Sequence, residues 1–264
     1  MTKAKLIWLP GWAMSGEVFS ELICSLPECE HVRLDYSGAG TVEEFYEMAE
    51  SAVEKCFTDS YLSHSTFLSE DASAPESRHI PLILIGWSLG GIIAQRLAAE
   101  KVYPINGLIL ISSTSCFVRP RDEAHLGWSD VYLRRMQTKL QDNRQQVIAD
   151  FCDRMFTPSK RQSVLTKHDN PHIPADTWSL QALYAGLDCL RHQDNRPLLP
   201  QIACPTLILH GGADQICPPT AAQELEDNIP KATLHICPDG GHMPFLNYPT
   251  QFSDHLRRFL YEMG

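Results

Sequence analysis

The chain has 264 residues, 44% of them apolar, and a formal charge of −10 at pH 7. That length suits one large domain, or one domain carrying an insertion, and the negative balance disfavours nucleic acid as a partner. No stretch reaches the roughly 20 apolar residues of a bilayer span, so no membrane partner is expected. The first ten residues hold too short an apolar run for a secretion signal. Nine scattered cysteines, none paired at CxxC spacing, then point to reduced thiols and a cytoplasmic setting.

In chain order, the first apolar run covers residues 6–9 (LIWL) and closes at Pro10-Gly11. A second covers 31–35 (HVRLD), closed by the turn residues Ser37-Gly38-Ala39-Gly40. Residues 58–79 are rich in Ser, Asp, Glu and Ala without a clear period, which predicts a mobile surface insertion. The third run, 82–85 (LILI), closes at Gly86, and a helical pattern follows from Ile92 to Lys101. The fourth run, 108–111 (LILI), opens a long stretch, 116–196, with no convincing strand. There Val147, Ile148, Phe151, Cys152 and Met155 fall on one helical face, as do Leu180, Leu183, Tyr184 and Leu187. The fifth run, 207–210 (LILH), closes at Gly211-Gly212; a helical pattern over 221–228 separates it from the sixth, 233–236 (TLHI).

Short continuous apolar runs predict strands buried on both faces, as in a parallel sheet. Their alternation with helical segments predicts an α/β fold: a mostly parallel central sheet flanked by helices. On this reading 1–115 and 197–264 form the core and 116–196 an inserted helical lid.

The chemistry starts at Gly86-Trp87-Ser88-Leu89-Gly90-Gly91, a G-x-S-x-G pattern between a predicted strand and a predicted helix. The spacing lifts a serine hydroxyl clear of the backbone on a tight strand-to-helix turn, ready to act as nucleophile. A serine hydroxyl needs a base to take its proton and a carboxylate to hold that base in one tautomer. Asp214 follows the fifth run and His242, in Asp239-Gly240-Gly241-His242, follows the sixth. The chain order nucleophile, acid, histidine fits an α/β-hydrolase. Asp239 is the competing acid, but it lies too close to His242 in sequence and is expected to shape the turn. Charge developing on the attacked carbonyl oxygen requires two backbone N–H donors. Leu89, the residue after the nucleophile, and Trp12, in the loop after the first strand, are the expected pair, and the Trp12 indole is also expected to wall the acyl pocket. No metal-ligand cluster and no dinucleotide fingerprint is present, so no cofactor is implied.

At these residues the sequence resembles the α/β-hydrolase superfamily over nearly its whole length. It is similar more narrowly to the pimeloyl-acyl-carrier-protein methyl ester esterases of biotin synthesis. The shared features are Gly11-Trp12, Gly16-Glu17-Val18-Phe19, the 86–91 turn, Ser112-Ser113-Thr114-Ser115-Cys116-Phe117 and Arg121-Asp122-Glu123. The resemblance implies an esterase that cleaves a methyl ester from a completed pimeloyl chain on acyl carrier protein, with Ser88, Asp214 and His242 as its triad. It also implies that Trp12 and Leu89 form the oxyanion hole and that Phe151 touches the acyl chain.

Charge is unevenly spread. Residues 116–196 carry 12 Lys and Arg against 10 Asp and Glu, and the rest of the chain 10 against 22. Arg119, Arg121, Arg134, Arg135, Lys139, Arg144, Arg154, Lys160 and Arg161 concentrate positive charge in the first half of the predicted lid. Such a patch would steer an acidic carrier protein to the pocket mouth, and the same residues also fit ordinary solvated helix faces. Two other functions remain open: a generic short-chain esterase or thioesterase, and a non-catalytic ligand-binding scaffold. The intact Ser, Asp and His set argues against the scaffold.

Overall fold

The computed structural model describes residues 3–65, 80–157 and 177–263. They contain one six-stranded sheet in the order β2-β1-β3-β4-β5-β6, with every pairing parallel. The strands are β1 (Lys5–Leu9), β2 (Glu30–Arg33), β3 (Leu82–Trp87), β4 (Gly107–Ile111), β5 (Thr206–Gly211) and β6 (Ala232–Cys237). All six expected runs are strands. The four inner ones are buried along their whole length. The two edges correct the expectation of burial on both faces: Glu30 and Arg33 on β2, and Thr233 and Ile236 on β6, are exposed. A strand with one neighbour has less covering over it, and charged or polar residues there discourage further pairing.

The helices are α1 (Ser20–Cys24), α2 (Val42–Ser65), α3 (Leu89–Glu100), α4 (Asp130–Met155), α5 (Leu180–His192), α6 (Pro219–Asn228), α7 (Pro244–Asn247) and α8 (Pro249–Glu262). Helix α3 packs on β1, β3 and β4, and α6 on β5 and β6. The predicted surface insertion from residue 58 needs correction in its first part, because the backbone of α2 continues to Ser65. Phe45, Ala49, Val53 and Cys56 bury one face of this helix. Once that face is docked, each further residue adds one hydrogen bond at low entropic cost, so a polar sequence prolongs the helix. Residues 66–79 lie outside the described ones.

Between β4 and β5 the described residues add no strand to the sheet. Helix α4 is two helical stretches meeting at Asn143, whose φ of −153° and ψ of 77° leave the helical region. The Asn143 side chain accepts the Gln146 N–H at 3.1 Å and so caps the second stretch. Val147, Ile148, Phe151, Cys152 and Met155 are all buried, as the periodicity predicts. Helix α5 buries Leu183 and Leu187 and starts on the Ser179 side chain, which accepts the Ala182 N–H at 3.0 Å. Among the described residues no helix is long and apolar enough to cross a membrane.

Parallel register puts the carboxyl ends of β1, β3, β4, β5 and β6 on one edge: Leu9 pairs with Gly86, Trp87 with Ile111, and Gly211 with Cys237. The chain leaves β1 for β2 on one side and returns to β3 on the other. The loops after β1 and β3 therefore flank the switch point where such sheets form their clefts.

Candidate active site

Ser88, between β3 and α3, has φ 55° and ψ −120°, a left-handed backbone that costs a residue with a side chain about 1–3 kcal/mol. The surrounding packing enforces it. The Ser88 N–H donates to the Ile111 carbonyl at 3.0 Å, and the Ser88 carbonyl accepts from Gly91 N–H and from the Ser113 hydroxyl, both at 2.9 Å. A Cβ on Gly86 would lie 2.5 Å from the Gly90 carbonyl oxygen, and one on Gly90 would strike the Leu9 carbonyl. Only glycine lets β3, α3 and β1 approach this closely around the serine.

The His242 imidazole lies between Ser88 and Asp214. Its Nε2 is 2.9 Å from Ser88 Oγ, and its Nδ1 is 2.8 Å from Asp214 Oδ2. A carboxylate accepts only, so Nδ1 carries the proton and Nε2 offers its lone pair to the hydroxyl. The other carboxylate oxygen, Asp214 Oδ1, accepts the N–H groups of Ile216 at 2.8 Å and Cys217 at 3.0 Å. Asp239 is exposed and plays no part in this array. The two loops are laced together by Gly212 N–H to Cys237 O at 2.7 Å and Ala213 N–H to Gly240 O at 2.8 Å. Two more bonds fix the histidine loop: the Trp87 indole N–H reaches the His242 carbonyl at 2.9 Å, and His242 N–H reaches the Met155 carbonyl at 2.8 Å. The end of α4 thus bears directly on the site.

Among the described residues, neither the Trp12 N–H nor the Leu89 N–H has an acceptor, which leaves two donors free beside the serine. Trp12 is followed by Ala13 in a left-handed conformation, φ 60°. The Trp12 indole donates to the Leu183 carbonyl at 2.9 Å and meets Phe151 edge-on at 5.0 Å between centroids. A Cβ on Gly186 of α5 would lie 2.5 Å from the indole, so that glycine makes its seat. A pocket of about 160 Å³ lies against Phe151 and is lined also by Tyr132, Arg135, Met136, Lys139, Val147 and Asp150. Its apolar lining comes from both stretches of α4, and two cations stand on its wall. The arrangement can deprotonate a serine hydroxyl and hold an oxyanion.

The basic residues fare differently from one another. Arg135 and Lys139 are exposed and line the pocket. Arg154 stacks over the Tyr132 ring at 5.3 Å. Arg134 is paired with Asp130 at 2.6 Å, and the same carboxylate takes Arg191 at 2.7 Å. Arg144 is half-buried. Lys160 and Arg161 lie outside the described residues. Arg119 is a correction: it is 4% exposed, and its guanidinium pairs with Glu224 of α6 and with Glu123. A buried guanidinium needs such partners, and nothing near Arg119 in sequence signals Glu224. Sequence reading also misses Ser113, Gly186 and the buried His210, whose Nε2 is 3.5 Å from Asp214 Oδ2.

The family model described as serine aminopeptidase, S33 matches residues 1–248. A pimeloyl-(acyl-carrier protein) methyl ester esterase of Nitrosomonas europaea is 31% identical over 257 residues, covering 94% of this chain and 92% of its own. The protein of that name from Pectobacterium carotovorum is 28% identical, covering 96% and 93%. Among solved structures, an esterase from Exiguobacterium antarcticum superposes with a TM-score of 0.77 at 20% identity, covering 98% of this chain and 92% of its own. A bromoperoxidase from Bacillus anthracis superposes with a TM-score of 0.79 at 17% identity, with the same coverage. These two likenesses concern the fold alone.

Proposed function

Because the chain belongs to the α/β-hydrolase family described as serine aminopeptidase, S33, and is a carboxylic ester hydrolase, we propose that it hydrolyses the methyl ester of a pimeloyl chain held on acyl carrier protein, with Ser88 as nucleophile. The observation that carries the chemistry is the continuous hydrogen-bonded array from Asp214 through His242 to Ser88, set beside the unpartnered N–H groups of Trp12 and Leu89. The substrate reading rests on the likeness to the curated relatives. It fits an apolar pocket at Phe151 with Arg135 and Lys139 at its wall.

In the proposed cycle, Ser88 Oγ attacks the ester carbonyl carbon while His242 Nε2 takes its proton. The Trp12 and Leu89 N–H groups hold the resulting oxyanion. His242 then returns the proton to the departing methoxide, which leaves as methanol, and the acyl group remains on Ser88. Water gives a proton to His242 and attacks the acyl carbon; the carboxylate product leaves and Ser88 regains its proton. Asp214 keeps the imidazole in the Nδ1–H tautomer throughout. We read 116–196 as a lid, with Phe151 against the acyl chain. Arg134, Arg135, Lys139, Arg144 and Arg154 are the surface to which the carrier's acidic face would be drawn. Among the described residues the nine cysteines form no disulfide, which supports a cytoplasmic setting, where such a carrier works.

The test pairs a carrier-linked methyl ester with a small ester. Arg135→Glu/Lys139→Glu is expected to raise KM for the carrier-linked substrate by about tenfold, because charges at a rim act on association. Added salt should raise the wild-type KM as well. Hydrolysis of p-nitrophenyl butyrate by the double variant should stay near wild type. If no methanol is released from the carrier-linked ester while the small ester turns over, the generic esterase reading replaces this one.

A further inference from the structure

We propose that His210 is a positioning residue for this reaction: its Nε2–H donates to the Cys217 carbonyl and so fixes the loop that carries Asp214, with the ring close to the same Oδ2 that accepts from His242. The inference rests on the roles proposed above for Ser88, His242 and Asp214. It concerns a residue that forms no contact with Ser88.

His210 is the penultimate residue of β5 and is fully buried. Its Nε2 lies 2.8 Å from the Cys217 carbonyl oxygen and 3.5 Å from Asp214 Oδ2. Both neighbours are acceptors, so Nε2 must carry a proton. The other nitrogen, Nδ1, is buried without a hydrogen-bond partner among the described residues. A proton there would leave a charged N–H bare in the core, which costs far more than an unfilled lone pair. The ring is therefore a neutral Nε2–H tautomer. Burial pushes its pKa below the ordinary histidine value, against the pull of Asp214. The titratable groups acting on it are Asp214 and His242; its contact with Cys217 is to the backbone carbonyl.

The bonds close a small circuit. Asp214 Oδ1 takes the Ile216 and Cys217 N–H groups, the Cys217 carbonyl takes His210, and His210 also faces Asp214 Oδ2. The acid is thereby fixed to the rigid end of β5 as well as to its own loop. The second effect is electrostatic. The Nε2–H group, 3.5 Å from Oδ2, partly offsets the carboxylate's charge, so Asp214 attracts the His242 ring less strongly than it would beside an apolar side chain. A merely structural histidine would not have this effect.

The experiment measures kcat/KM against pH with p-nitrophenyl butyrate for wild type, Ser88→Ala, His210→Leu and His210→Gln. A Gln side chain can place its amide N–H near the position of the imidazole Nε2, whereas Leu has no donor. His210→Leu is expected to lower kcat by roughly tenfold to a hundredfold through misplacement of the array. It should also move the acid limb upward by about half a pH unit or more, since Asp214 then holds the imidazolium more strongly. His210→Gln should restore the limb. Nitrogen chemical shifts of the wild-type imidazole give a reading that needs no variant: His210 should stay neutral and Nε2-protonated from about pH 5.5 to about pH 8. A His210 ring that titrates in that range, or that carries its proton on Nδ1, overturns the assignment. So does a folded His210→Leu protein with a wild-type pH profile. If Ser88→Ala keeps its activity, the underlying triad reading fails instead, and the two failures are distinct.

Discussion

At the scale of single residues, the site is held by groups that are buried and individually committed. The Asp214 and His242 side chains are fully buried, and His210 beside them is buried without charge. That burial has a consequence for stability. The folded pKa of His210 is depressed by desolvation, so the unfolded chain binds a proton that the native state refuses. Stability is then fully present above the ordinary histidine value of about 6.5 and is lost as pH falls below it. His255 at the sheet edge, also depressed by burial, acts in the same direction. Asp130 and Asp194 are held below the ordinary carboxylate range by Arg191 and Arg196 respectively, so their loss belongs to a lower window, below about pH 4. The melting temperature should therefore be level between about pH 7 and about pH 8, below the range where the buried thiols would ionise in the unfolded chain, and fall on acidification, and His210→Gln should flatten part of that fall. Equal slopes in wild type and variant would contradict this. The Ser88, Asp214 and His242 assignments could be drawn from sequence because each sits in a short Gly-marked turn after an apolar run. His210 and Ser113 could not: their significance lies in partners that only the folded loops bring near, such as the Ser88 carbonyl, 25 positions from Ser113.

At the scale of elements, two helices from the insertion between β4 and β5 hold the loop after β1, which carries the proposed oxyanion donor Trp12. The Trp12 indole is seated on α5 by its bond to Leu183 and is met edge-on by Phe151 of α4. Gly186 decides whether that seat exists. Gly→Ala in an exposed helix interior gains about 1 kcal/mol in propensity, but here the new methyl meets the indole at 2.5 Å. Overpacking of a buried contact costs about 1–3 kcal/mol, so the clash outweighs the gain. Gly186→Ala should lower the melting temperature slightly and reduce kcat by about tenfold, because the displaced indole drags the Trp12 N–H from its place. A more stable variant of unchanged kcat would refute this coupling. The inner strands were legible because parallel neighbours demand unbroken apolar runs. The extent of α2 was not, since its polar end prolongs a helix whose buried face lies upstream. The bend at Asn143 carries only a weak signal, a polar residue that caps the stretch after it.

At the scale of the molecule, a sheet edge collects four loops into one site while helices from the insertion cover it. The insertion is tied down by Arg119, whose pairing with Glu224 joins it to α6. Counting charges along the sequence placed Arg119 on the surface, because a count cannot tell a solvated arginine from a buried one. Arg135 and Lys139, from the same count, are exposed and line the pocket at Phe151. The mostly parallel sheet follows from the alternation of runs and helices; the strand order and the division of labour among the basic residues needed coordinates. The central claim is that the chemistry passes through Ser88, and covalent trapping tests it most directly. A fluorophosphonate ester incubated with the native protein, followed by peptide mass mapping, should leave one phosphonyl group on the peptide containing Ser88. Ester hydrolysis should stop in proportion to labelling. Ser88→Ala should take up no label and lose about 10⁴-fold or more in rate. Labelling at another residue, or a Ser88→Ala protein that keeps a tenth of the wild-type rate, would contradict the account.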